Sequence, residues 1–194
     1  MILALTMMQV AFATPPAGAE PTVYEHGCQF YSGPLHSSGY NKVTAQCAWP
    51  ELSVEKIDSM LSVNSMHDEL FNTISVAVNV GSFQGRELFR QVHYASGISD
   101  REVIVQQWRT TLNGGYRYSW TLHPDQSAVT GDNVAPDVNE GAWTVTARPN
   151  GGSNVKYELV YAPGGWIPRF IANRFQSEGI VEMVGEFRTY LQNH

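Results

Sequence analysis

The sequence predicts an α+β fold in which an antiparallel β-sheet curves around one long C-terminal helix. Three observations carry that prediction. From Thr73 onward, six runs alternate apolar and polar residues with a period of two, and turn-forming residues punctuate them. After the last run, Pro168 opens a segment to about Leu191 in which apolar residues return at helical spacing. The apolar stripe of that segment is broad, so the helix must cover something apolar.

A chain of 194 residues with 43% hydrophobic and 15% charged residues is sized for one domain with a sizeable core, and no stretch in its middle reads as a linker. The net charge of −6, with Lys42 the first Lys or Arg, gives no basic field for phosphates and excludes nucleic acid as a partner. Met1 to Ala13 is a short apolar stretch followed by small residues, with cleavage points after Ala13 or Ala19. It resembles a signal peptide, although it has no positive n-region, and is too short to be a stable transmembrane helix. Residues 1–21 are therefore read as a leader and disordered N-terminus, and 22–194 as one exported domain, periplasmic or secreted.

Val23 to Tyr31 and Tyr40 to Trp49 read as a hairpin around the turn-rich Ser32-Gly33-Pro34 and Ser37-Ser38-Gly39. Within it Cys28 and Cys47 are nearly equidistant from the turn, so they form either one cross-strand disulfide or two buried thiols. Ser53 starts a short helix through about Ser62, with Val54, Ile57, Met60 and Leu61 on one face. The strands that follow are Thr73 to Val80, Arg86 to Tyr94, Glu102 to Leu112, Tyr116 to His123, Gly141 to Ala147 and Val155 to Tyr161. Asn113-Gly114-Gly115 makes the tightest hairpin, and Asp125 to Asn139 reads as a longer rim loop. On the last helix the stripe is Phe170, Ile171, Phe175, Ile180, Met183, Val184, Phe187 and Leu191.

Catalytic signatures are missing. The six histidines are scattered with no His-Glu-x-x-His and no i, i+4 pair, so no metal site is expected. No nucleophile elbow, phosphate loop or dinucleotide fingerprint occurs, and no cofactor is expected. His67-Asp68-Glu69 lies in a polar segment between helix and strand and reads as solvated charge.

Two motifs resemble those of the START family of lipid-binding domains, whose curved sheet grips a C-terminal helix. Ser99-Asp100-Arg101-Glu102, leading into Val103 to Arg109, is similar to the family's Asp-Arg-Asp strand start. Gly165-Trp166-Ile167-Pro168, with Ile171, Ala172 and Asn173 a turn later, is similar to its strand-to-helix junction. The likeness spans roughly Tyr24 to Leu191. At the junction Gly164 and Gly165 allow a sharp reversal, Trp166 reads as an apolar anchor for the corner, and Pro168 presets the helix.

The resemblance implies an internal apolar tunnel for one lipid, with access controlled by the helix. Laying the family's inward positions on this chain places Val103, Val105, Gln107 and Arg109 inside, then Tyr116, Tyr118 and Trp120, Trp143 and Val145, and Tyr157, Leu159 and Tyr161. Where sterol-binding members carry a buried Arg, this chain has Gln107; Arg109 lies on the same face, and Glu87 is the nearest match to the family's acidic partner. Arg109, with Gln107 and Glu87, either recognises a polar head or reaches solvent at a strand end. On the helix, Asn173 and Ser177 share a face with Phe170 and Ile180, and either touch the ligand or bond a neighbouring loop. The expected function is non-covalent binding, and transfer, of a lipid or sterol-like molecule by a monomer with transient membrane contact and no catalysis. The alternatives are a polyketide cyclase-like enzyme using Arg109, Tyr118 and His93, and an exported interaction module whose cavity is filled by its own aromatics.

Overall fold

The computed structural model describes residues 14–63, 67–94, 99–127, 129 and 133–194. Its strands are β1 (Glu20–Glu25), β2 (Cys28–Leu35), β3 (Asn41–Trp49), β4 (Ile74–Phe83), β5 (Arg86–His93), β6 (Arg101–Leu112), β7 (Gly115–Leu122), β8 (Val138–Ala147) and β9 (Ser153–Ala162). Its helices are α1 (Val54–Leu61), α2 (His67–Leu70) and α3 (Arg169–Asn193). All the strands join one antiparallel sheet in the order β1-β2-β3-β9-β8-β7-β6-β5-β4. The sheet curves around α3, the helix-grip arrangement.

The period-two runs become strands because each supplies an apolar row to one face of the pleat. In β9, Val155 and Tyr157 enter the main core, where they meet Val184, Phe187 and Leu191 of α3. Helix α1 starts where Ser53 accepts a hydrogen bond from the Lys56 amide at 3.2 Å, and buries Val54, Ile57 and Leu61. Phe170 departs from the expected stripe: it is 74% exposed. The side chains of Ile171 and Phe175 lie outside the described residues.

The N-terminal hairpin differs from the expectation. A two-residue turn at His26-Gly27, with positive φ at both positions (54° and 73°), splits the expected strand into β1 and β2. Glu20 and Pro21 already pair with Ser32 and Tyr31, and the Thr14 carbonyl accepts from Gln46 Nε2 at 3.3 Å. The folded part thus reaches back before position 22. Met1 to Ala13, the apolar part of the expected leader, lies outside the described residues. No described helix is long and apolar enough to cross a membrane.

The rim loop is partly strand-like. Val134 bridges Arg101, and the Gln126 side chain serves Ile104 in place of a strand: its Oε1 accepts from the Ile104 amide at 2.9 Å and its Nε2 donates to the Ile104 carbonyl at 2.8 Å.

Cys28 stands directly opposite Cys47 in the β2–β3 ladder, and the two are joined by a disulfide. The bond ties residues 19 apart in sequence. A loop of that size lowers the entropy of the unfolded chain enough to add about 3 kcal/mol of stability. Replacing both cysteines by alanine should therefore lower the unfolding free energy measured in urea by about 3 kcal/mol, with no change in far-UV circular dichroism.

Candidate functional site

Between the concave face of the sheet and α3 lies a cavity of about 640 Å³. Its floor is aromatic: Trp143 lies 4.3 Å from Tyr157 and Trp120 5.7 Å from Tyr157, centroid to centroid, and Phe71 stacks on Trp143 at 6.3 Å. Trp120 can lie across β8 because position 141 is glycine. A Cβ there would sit 2.4 Å from the indole and 2.2 Å from the Glu158 carbonyl. The indole donates to Asn139 Oδ1 at 2.9 Å, which fixes the ring. Helix α3 forms the roof with Gln176, Ile180 and Met183 among others, and the exposed Asn72, Tyr94, Glu178 and Glu182 line the outer part.

Of the residues expected inside, Val105, Gln107, Trp120, Trp143, Tyr157, Leu159 and Tyr161 line this cavity. The others do not, for physical reasons. A strand of 12 residues is about 40 Å long, and the inward row of β6 lines the cavity only as far as Gln107. Beyond Gln107 the concave face is covered by α1. Arg109 makes a two-point ion pair with Asp58 of α1 (3.0 and 2.9 Å), lies over the Tyr116 ring at 3.7 Å, and donates to the Tyr118 hydroxyl at 2.9 Å. The Tyr118 hydroxyl also donates to Asp58 Oδ1. Arg109, Tyr116 and Tyr118 thus bind α1 to the sheet. Val145 is in the main core with Val54 and Ile57, and Val103 packs against Phe89.

Glu87 stands directly opposite Gln107 in the β5–β6 ladder, so the two family positions do face each other, but Glu87 is exposed and outside the cavity. Asn173 accepts from the amide of Asn41, at the start of β3, at 3.4 Å, so it bonds neighbouring backbone. Phe170 and Ser177 do not reach the cavity.

Several polar lining residues were not foreseen. Arg101 is 4% exposed and faces the cavity, and its guanidinium donates to the carbonyls of Pro163 (2.9 Å), Gly164 (3.3 Å) and Ser99. The two family-like motifs therefore meet in space: the Arg of the first holds the corner of the second. That corner is tight, with Gly164 and Gly165 both at φ 67°. Trp166 does not anchor it. It is 94% exposed, because Arg101 and the close approach of Ala135 to Gly164 already set the corner. Counting back in twos from Val105 reaches Arg101, and counting forward from Glu87 reaches Gln91.

His67 corrects the reading of its segment as solvated charge. Asp68 and Glu69 are exposed, but His67 is 7% exposed and lines the cavity. Helix α2 has four residues, too few for periodicity to show which side faces inward. Gln176 Nε2 donates to the carbonyls of Asn41 (3.0 Å) and Leu159 (3.2 Å). Its Oε1, and His67 Nε2, are buried without a hydrogen-bond partner among the described residues. Among those residues no cluster of His, Cys, Asp and Glu could hold a metal.

Loss of solvation pulls the imidazoles of His67 and His93 down from 6.5 to about 4, and pushes the Tyr157 and Tyr161 hydroxyls up. Both histidines are neutral at pH 7. The unfolded chain binds more protons than the native one between pH 6.5 and 4, so stability is complete above 6.5, falls as the pH drops through that window, and levels off below 4. Each histidine contributes up to about 3 kcal/mol to the fall. Urea unfolding at pH 7 and at pH 4.5 should show a smaller difference in His93→Phe than in the parent protein; an equal difference would mean that His93 is not held neutral.

No family model matches the sequence, and neither does any curated protein. Solved structures do. A STAR-related lipid transfer protein from Xanthomonas axonopodis superposes with a TM-score of 0.79 at 16% identity, over 90% of this chain and 99% of that one. Human StAR-related lipid transfer protein 5 gives 0.82 at 11% identity, over 91% and 88%. The Zhui aromatase/cyclase of a Streptomyces species gives 0.52 at 9%, over 78% and 90%. The chain has the START helix-grip fold, in agreement with the resemblance carried by its two motifs.

Proposed function

We propose that the protein binds a lipid or sterol-like apolar ligand non-covalently in the cavity under α3 and exchanges it with membranes. The observation that carries this reading is the cavity itself. About 640 Å³ is within the range of small-molecule sites, and its aromatic floor and few convergent polar groups are what such sites use. Burial of a ligand's apolar surface there is favourable by about 25 cal/mol per Å². The two START-like structures above are lipid transfer proteins by name, which supports the same class of ligand.

Binding without turnover fits the side chains better than cyclisation. The acid/base set of Arg109, Tyr118 and His93 is not assembled, since Arg109 and Tyr118 are engaged with Asp58 under α1 while His93 faces the cavity. An interaction module with a filled interior fits less well, because the aromatics line the space rather than fill it. The Cys28–Cys47 disulfide supports an oxidising compartment and hence export.

Membrane contact is assigned to the start of α3. Trp166 and Phe170 are exposed at 94% and 74%, and Arg169 lies between them in sequence. Exposed aromatics beside a cation suit the interface of a bilayer, where the rings enter the acyl boundary and the guanidinium meets phosphates. Trp166→Ala with Phe170→Ala should cut cosedimentation with phosphatidylglycerol vesicles several-fold while leaving the thermal midpoint within about 1 °C, as expected for exposed positions. Unchanged cosedimentation would remove this surface from the account.

The direct test of the main reading is native mass spectrometry of protein purified from its own host. A co-purifying lipid, released by organic extraction and identified, is the expected result. A protein that arrives empty and takes up no lipid from vesicles would overturn it.

A further inference from the structure

The cavity wall carries a hydrogen-bonded file of three side chains that the proposed function leaves without a task. Gln91 on β5 sits between two histidines: its Oε1 accepts from His93 Nε2 at 3.1 Å, and its Nε2 donates to His67 Nδ1 at 3.5 Å. All three line the cavity. In this orientation the Gln91 amide selects the tautomer of each imidazole it touches. With Nδ1 of His67 accepting, the proton of that ring is on Nε2, and Nε2 is the buried atom that has no partner among the described residues. A buried donor left unpaired is costly, and a ligand oxygen would remove the cost.

We infer that His67 Nε2 is the head-group donor of the cavity, and that the ligand is an uncharged apolar molecule presenting an acceptor oxygen, such as a ketone, ester or hydroxyl, to it. This rests on the binding reading proposed above and narrows its ligand class. The other polar groups argue against an anionic head. Arg101, the cation on the wall, already donates to three backbone carbonyls. Gln176 Oε1, the other buried atom of the cavity wall without a partner among the described residues, is an acceptor, and its amide is held in that orientation by the Asn41 and Leu159 carbonyls. Three carboxylates of α3, Glu178, Glu182 and Glu186, line the cavity as well, so a carboxylate or phosphate head meets repulsion along that helix. Burial keeps both histidines neutral, so they attract an acceptor without attracting a negative charge.

The test uses the full chain and three probes of equal carbon number: tridecane, methyl undecyl ketone and tridecanoate. Affinity is read by calorimetry, or by the fluorescence of Trp120 and Trp143. The ketone is expected to bind about tenfold more tightly than tridecane, the value of one hydrogen bond to a buried donor, and more tightly than tridecanoate. His67→Phe should bring the ketone-to-tridecane ratio to one or below while tridecane binding persists. Gln91→Leu, which frees the His67 tautomer, should lower the ratio too.

A ratio near one in the parent protein, tighter binding of tridecanoate, or a ratio that survives His67→Phe would each overturn the inference. The parent protein alone decides the first two, so the inference stays testable even if a variant fails to fold. Tridecane binding with no ketone preference sinks only the assignment of His67. Binding of none of the three probes by folded protein sinks the ligand-binding reading with it.

Discussion

The position of α3, and with it the existence of a cavity, depends on the buried guanidinium of Arg101. A cation at 4% exposure loses several kcal/mol of solvation and persists only where its hydrogen bonds are made. Here they go to carbonyls from two distant parts of the chain: Ser99, just before β6, and Pro163 and Gly164, just after β9. β6 and β9 are separated in the sheet by β7 and β8, so this contact is not made by strand pairing. It ties the point where the central strands start to the point where the chain turns into the roof. Beside it, Glu102 on the opposite face of β6 is fully buried and accepts from Arg90 at 2.6 Å and Asn133 at 2.9 Å, so the rim loop is held to the same strand.

The far end of α3 is held differently. Phe187 packs against Trp49, Phe71 and Trp143, and Arg188 pairs with Glu51 at 2.5 Å. With the chain that leads into α3 held by Arg101 and the end of the helix held by an aromatic core, α3 spans the sheet between the two. Helix α1 fills the remaining concave surface through the Asp58, Arg109 and Tyr118 cluster. The cavity is what these three attachments leave over. Its polar groups face inward because strand alternation brings them there, as with Gln91 and His93 on β5 and Gln107 on β6.

Much of this was legible in the sequence because the strands are half-buried and alternate cleanly. The six runs after Thr73 correspond to β4 through β9, and the helix after Pro168 to α3. What the sequence concealed had no periodic signal or broke one. β1 and β2 read as one strand in the sequence because His26-Gly27 is a turn of only two residues whose first member is not a usual turn former. His67 was hidden by the shortness of α2. Parity says which face of a strand a side chain is on and not whether a helix covers it, and α1 lies over Arg109 of β6 and over Tyr116 and Tyr118 of β7. Trp166 misled because a large aromatic at a corner suggests an anchor, while the anchoring is done from a distance by Arg101, 62 residues from Pro163. Contacts of that separation become visible only in three dimensions.

In this arrangement Arg101 holds the roof over the cavity. Hydrogen–deuterium exchange of Arg101→Met against the parent protein tests it most directly. Faster exchange is predicted across residues 164–180, with the amides of β7, β8 and β9 retaining their protection. Unchanged protection across 164–180 in a folded variant would contradict the claim, and would mean that the glycine corner and the apolar packing of α3 keep the roof in place without the guanidinium.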